Sequence, residues 1–154
     1  GRAVTDTHKD TAVVNNSQET IYRTDMVPFA VATYYEDDDT YLIMVSHAIY
    51  TAFDDQPADF SPVLVEKILR QDMRYDGIIV TDDLGMGAIG KHYTAGEAAV
   101  KAIKAGVDMV MVCHSREKQE EVYEAILAAI ESGELTEERI DESIERILRV
   151  KSKI

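Results

Sequence analysis

Three near-continuous apolar runs, each followed by a helical pattern, constrain this chain more than any other feature. They are 41–45 (YLIMV), 77–81 (GIIVT) and 107–113 (VDMVMVC). Runs rich in β-branched residues that stay apolar without alternating suit strands covered on both faces, as in a parallel sheet. After the first run, Ser61-Pro62 supplies a cap and a first-turn residue for a helix with Val65, Ile68 and Leu69 on one face. After the second, Thr94 and Glu97 form a capping box for a helix carried by Ala98 and Ile103 and ending near Gly106. After the third, Ser115 caps a helix whose face is Val122, Ala125, Ile126, Ala129 and Ile130 and which stops near Gly133. Thr136 caps a last helix, with Glu137 and Glu138 at its positive end and Ile140, Ile144, Ile147 and Leu148 expected to face inward. Before the first run the pattern is weaker: a short helix over 17–22, a packed connector at Pro28-Phe29 and a solvated turn over 36–39.

Strand-helix alternation at about thirty-residue spacing implies a parallel sheet, either open and doubly wound or closed into a barrel. Each run ends in polar groups: Ser46-His47, Thr81-Asp82-Asp83 and Cys113-His114-Ser115. Several strand ends contributing to one site is the habit of a barrel. A complete barrel takes ~250 residues, so a chain of 154 residues is read as one partial domain, 1–154, holding about half of one.

Composition removes other classes. Hydrophobic residues at 45% and charged residues at 29% describe a globular chain, and no run reaches the ~20 apolar residues of a membrane span. A net charge of -13 repels phosphate backbones and anionic lipid, which argues against nucleic acid or a membrane surface as partner. The single cysteine, Cys113, cannot form an intrachain disulfide. Gly1-Arg2-Ala3-Val4 lacks the layout of a signal peptide, so the chain is expected to begin in mid-protein, and compartment stays open between cytoplasm and export.

Two segments carry candidate chemistry. In 76–86 (DGIIVTDDLGM) two acids, Asp82 and Asp83, emerge from a buried strand. Alternation sends them to opposite sides, so one need face the mouth; an N-cap or a loop hydrogen bond is the competing account. In Asp6-Thr7-His8, an acid two residues from a histidine can accept its second N–H, fixing the tautomer and raising basicity, as an oriented acid/base requires. The segment near Gly1 has no strand or helix to hold it and is expected to be mobile until docked over the mouth. His47 and His114 follow strands and either line the mouth or are satisfied loop histidines. Met86 either touches a ligand or packs beneath the loop. No H-x-x-x-H or C-x-x-C spacing supports a metal, and neither metal nor cofactor is expected.

Together these segments resemble family 3 glycoside hydrolases of the bacterial β-N-acetylglucosaminidase type. The similarity begins in 1–8, which looks like the end of that family's Gly-rich catalytic loop, with Thr7 where serine is usual, and 1–16 would be the remnant of that loop. It continues through 25–29 (DMVPF), 43–47 (IMVSH), 57–61 (PADFS), Leu69-Arg70, the D-G-I-I-V-T-D-D-L-x-M stretch, 97–108 (EAAVKAIKAGVD), Arg139-Ile140-Asp141 and Arg146-Ile147-Leu148. The resemblance implies the C-terminal half of a (β/α)8 TIM barrel. It implies Asp82 as the nucleophile, His8 as the acid/base and Asp6 as the group that orients it, with Met86 and His47 as candidate substrate contacts. The first strands, the sugar-binding acid and arginines, and a Lys-His pair would lie before Gly1, and Thr11-Ala12 replaces a common Leu-Pro.

The expected function is therefore retaining hydrolysis of terminal β-N-acetylglucosaminides of cell-wall type, through a covalent glycosyl-enzyme. One rival is an inactive half-barrel that associates with its N-terminal half or with itself to cover open strand edges. The other is a metal-assisted α/β hydrolase built on Asp82 and Asp83.

Overall fold

A computed structural model of the chain describes residues 4–34 and 42–153. The expected turn at 36–39, Tyr41 of the first run and the first three residues of the loop remnant lie outside the described residues. Elements run in the order β1 (Val13–Val14), α1 (Gln18–Arg23), α2 (Val27–Tyr34), β2 (Leu42–Val45), β3 (Ile49–Tyr50), a 3-10 turn (Ala58–Phe60), a π-wound helix (Val63–Asp72), β4 (Ile78–Asp83), α3 (Gly87–Gly90), α4 (Ala95–Lys104), β5 (Met109–Met111), α5 (Arg116–Glu131) and α6 (Glu137–Lys151).

Among the described residues the named strands pair in parallel, with one isolated antiparallel bridge between Ile49 and Pro57. One sheet has the order β2-β4-β5 and a second pairs β1 with β3. β4 is central, which accounts for its unbroken burial from Ile78 to Thr81, while edge strand β2 alternates: Ile43 and Val45 are buried, Leu42 and Met44 exposed. Pairing of Ile43 with Ile79 and Val45 with Thr81 puts these side chains on the face covered by α4, whose Ala98, Ala99 and Ala102 let the helix approach closely. The other face carries Leu42, Met44 and Met109, each between 39% and 51% exposed. That face is the apolar interior of an unclosed barrel. Strands β1 and β3 escape sequence reading because two residues cannot display a period.

The caps at Thr94, Ser115 and Thr136 form as the sequence predicts, and Thr94 and Glu97 make both bonds of the box. Gly106 ends α4 at φ 107°, a left-handed conformation that disfavours any Cβ. Three elements differ from expectation. The helix after Ser61-Pro62 is π-wound and closed by Met73 N–H to the Ile68 carbonyl, because Val65, Ile68 and Leu69 mark a face without distinguishing i→i+4 from i→i+5 winding. Pro28-Phe29 is not a packed connector but the first turn of α2, where proline's missing N–H is harmless, and none of α2 is buried.

In α6, Ile140 and Ile147 are half-buried as expected, Ile140 packing on the Val100, Ile103 and Leu135 cluster, but Ile144 and Leu148 face solvent at 46% and 60% exposure, and Ser143, Arg146 and Val150 turn inward instead. The cause is Asp108 at the start of β5, whose fully buried carboxylate accepts from Ser143 Oγ and Arg146 Nη1 at 3.0 Å, from Ile79 N–H at 2.9 Å, and from Arg70. A buried charge left unpaired costs more than two exposed aliphatic side chains, so it sets the rotation of α6. Among the described residues no helix is long and apolar enough to cross a membrane.

Candidate active site

The site forms where β4 ends. Val80 pairs with Met109 and Asp83 with Met111, so β4 takes three steps against two on β5 and carries a bulge over Thr81 and Asp82. Such an extra residue re-aims the side chains beside it. The Thr81 hydroxyl accepts Met111 N–H at 3.0 Å, replacing the ladder bond lost at the bulge.

Asp82 is half-buried, and its Oδ1 accepts the N–H of Asp83 at 2.8 Å. Among the described residues no hydrogen bond reaches its second oxygen. Asp83 is tied through one carboxylate oxygen and its carbonyl. Its Oδ1 accepts Gly85 N–H at 2.9 Å and Cys113 N–H at 3.3 Å, and its carbonyl accepts Met86 N–H at 3.0 Å. The Asp83 side chain is 13% exposed, with the far more open His114 ring 3.9 Å from its Oδ2. Of the two acids, Asp83 closes the β4 loop onto β5 through its Oδ1, whereas Asp82 binds only its neighbour's N–H; among the described residues neither Oδ2 accepts a hydrogen bond.

The Asp6–His8 segment lies against α3. Gly87 N–H donates to the His8 carbonyl and Ala88 N–H to the Thr7 carbonyl, both at 3.1 Å, so the first N–H groups of α3 hold the loop beside the end of β4. Lys91 adds an ion pair to Asp10 at 2.9 Å. A Cβ on Gly87 would lie 2.8 Å from the carbonyl oxygens of His8 and Lys9, so the close approach needs glycine. The missed signal was that L-G-M-G carries a second glycine, whose absent side chain leaves room for another backbone.

Within the loop, Asp6 Oδ1 accepts the backbone N–H of His8 at 3.0 Å and faces its Nδ1 at 2.9 Å. The carboxylate assigns the ring proton to Nδ1 and leaves Nε2 for chemistry on a ring that is 76% exposed. The bond from the His8 backbone, then that from its ring, holds the Asp6 carboxyl below the usual carboxylate range. Asp6 is thus ionised wherever the imidazole needs a partner.

His47 lies under the loop with no exposed surface. Its Nδ1 is 2.8 Å from Asp59 Oδ2 and its Nε2 is 3.0 Å from the carbonyl of Asp83. Asp59, in the 3-10 turn, is equally enclosed and was missed, because nothing local to P-A-D-F-S announces a partner twelve residues away. Burial pushes the His47 ring toward neutrality, but the bond and charge of Asp59 outweigh it and raise its pKa; burial raises that of Asp59. Both directions keep a proton on the pair. Met86 is buried at the start of α3. Among the described residues no three His, Cys, Asp or Glu side chains converge as metal ligands.

Residues 1–150 match the family described as Glycosyl hydrolase family 3 N terminal domain. The chain is 35% identical over 117 residues to a beta-hexosaminidase of Photobacterium profundum, covering 76% of this chain and 34% of that protein. It is 37% identical over 124 residues to a beta-hexosaminidase of Thiobacillus denitrificans, covering 79% and 33%. The structure of a glycoside hydrolase family 3 beta-N-acetylglucosaminidase from Paenibacillus sp. FPU-7 superposes with a TM-score of 0.92 at 38% identity, over 97% of this chain and 28% of that one. The chain spans about a third of the length of the curated relatives it matches. Its open parallel sheet is a sector of the TIM-type barrel of that domain, and the chain belongs to glycosyl hydrolase family 3.

Proposed function

We propose that this chain supplies the nucleophile strand and the acid/base loop of a retaining β-N-acetylglucosaminidase. The observation that carries the reading is the docking of the Asp6–His8 pair on Gly87 and Ala88, the segment that directly follows Asp82. A proton carrier and a carboxylate with an uncommitted oxygen thereby stand at one end of the sheet. The beta-hexosaminidase and beta-N-acetylglucosaminidase relatives favour a terminal β-linked N-acetylglucosaminide as substrate.

In this reading the Asp82 carboxylate attacks the anomeric carbon as the bond to the leaving oxygen breaks, and His8 Nε2–H passes its proton to that oxygen. The imidazole, now neutral, takes a proton from water, whose oxygen displaces Asp82 and restores the β configuration. Asp6 holds Nδ1–H through both steps and offsets the imidazolium charge. Two inversions make the product retain its configuration.

The partner in this reading is the N-terminal part of the barrel. Leu42, Met44 and Met109 line an uncovered apolar face, and Val27, Phe29 and Val31 on α2 are 41% to 51% exposed. Such a surface is larger than single exposed residues explain, and a missing wall of strands would cover it. Light scattering on the chain alone is expected to show association, and addition of that part to restore turnover of a chromogenic β-N-acetylglucosaminide. The decisive test is labelling of this assembly with a mechanism-based fluorosugar. Adduct on Asp82, with Asp82→Ala losing on the order of 10³-fold in rate, supports the reading. Adduct on Asp83, or an active Asp82→Ala enzyme, overturns it.

A further inference from the structure

We infer that the buried His47–Asp59 pair is a positioning device for the nucleophile: it pins the main chain of Asp83 and thereby fixes where the Asp82 carboxylate stands. The inference rests on the reading of Asp82 as the attacking group. It extends that reading to two residues that no substrate atom need touch.

The Asp83 carbonyl can only accept, so His47 Nε2, 3.0 Å away, carries a proton. Nδ1 faces a carboxylate at 2.8 Å, and one further proton lies between them. The pair is thus neutral overall, whether written as imidazolium with carboxylate or imidazole with carboxylic acid. Loss of that proton would leave a net negative charge on two side chains with no exposed surface, close to Asp82, and among the described residues Asp59 Oδ1 has no hydrogen-bond partner to stabilise it. The donor at Nε2 is consequently permanent.

What it holds is the peptide carbonyl of the residue whose N–H binds Asp82 Oδ1 at 2.8 Å. The bulge deprives this stretch of regular ladder bonds, so side chains must define its path. His47 fixes one end of Asp83 and the Asp83 carboxylate fixes the other, through Gly85 and Cys113. Asp59 orients the ring, and the 3-10 turn that carries it packs on α4, which anchors the device in the core.

Glutamine and asparagine separate positioning from filling. A glutamine amide reaches the place of Nε2, whereas an asparagine amide reaches only that of Nδ1. Both are placed in an Asp59→Asn background, so that no orphan carboxylate is buried, and measured in the assembly of chain and N-terminal barrel part. Asp59→Asn alone can donate its amide to a neutral Nδ1 and is expected to keep kcat. His47→Gln with Asp59→Asn is expected to keep most of it. His47→Asn with Asp59→Asn is expected to lose on the order of 10²-fold in kcat with KM little changed, the cost of a misplaced reacting group. Equal activity of the Gln and Asn variants, or losses that follow melting temperature alone, overturn the inference. Should a variant fail to fold, the imidazole nitrogen signals of the wild-type chain decide: Nε2 protonated from mildly acid to mildly alkaline pH supports the pair, and a titrating Nε2 overturns it. Asp82→Ala in the same assay separates the two readings, because its full activity removes the nucleophile while its inactivity beside an active His47→Asn variant removes only the positioning.

Discussion

The main-chain N–H of Gly87 donates to the carbonyl of His8 at 3.1 Å, and this bond connects the two halves of the proposed chemistry. It ties the loop bearing His8 to the segment leaving β4. Replacing Gly87 with Ala puts a methyl group 2.8 Å from two carbonyl oxygens, so the loop must move away. Gly87→Ala is expected to lower kcat on the order of 10²-fold while the adduct on Asp82 still forms with activated substrates. Unchanged kcat would show that the loop is held by other means.

His8→Ala tests the proton carrier itself. Substrates with poor leaving groups should slow far more than activated aryl glycosides, which need little protonation. Azide should partly restore the second step, since that step lacks only a base. Equal slowing of both substrate classes without rescue would make His8 a loop anchor.

Asp83→Ala should behave differently from Asp82→Ala. It removes the acceptor for Gly85 and Cys113 N–H, so a loss of about 1–3 kcal/mol in stability is expected together with a smaller loss of rate. Denaturant unfolding of the two variants separates them: Asp82→Ala removes the acceptor of one N–H rather than two and should lose less stability. The reverse order would mean that the roles of the two acids are exchanged.

Much of this was legible in the sequence because it depends on local pattern. Ile78 to Thr81 reads as a strand covered on both faces, and Thr94 with Glu97 announces a helix start, since both effects act over a few residues. The Asp6–His8 contact was legible for the same reason. What escaped reading depends on partners distant in sequence. Asp59 and His47 meet only after the 3-10 turn folds under β2, and Asp108 gathers Ser143 and Arg146 from thirty-five residues onward. The apolar stripe on α6 therefore identified Ile140 and Ile147 but wrongly placed Ile144 and Leu148 inward. The seat of the Asp6–His8 loop is α3, an element of four residues with no periodicity to read.

Tyr75 gives a pH test independent of catalysis. It is buried, and burial pushes its phenol up to about 12, while its hydroxyl donates to the Ile78 carbonyl at 3.2 Å. In the unfolded chain a tyrosine titrates near ~10. Below that pH both states are neutral and Tyr75 adds no slope. Above it the unfolded state ionises first, so the stability contributed by Tyr75 falls as pH rises, by about 1.4 kcal/mol per unit, until the folded phenol ionises as well. Tyr75→Phe removes this slope and, at neutral pH, costs about 1 kcal/mol for the lost hydrogen bond. Urea unfolding of the two proteins at a series of alkaline pH values should therefore show the wild type ahead at neutral pH and the curves crossing near ~11, where the two effects cancel. Curves that stay parallel would mean that Tyr75 ionises in the folded chain as readily as in the unfolded one, and that the strand start at Ile78 is open to water.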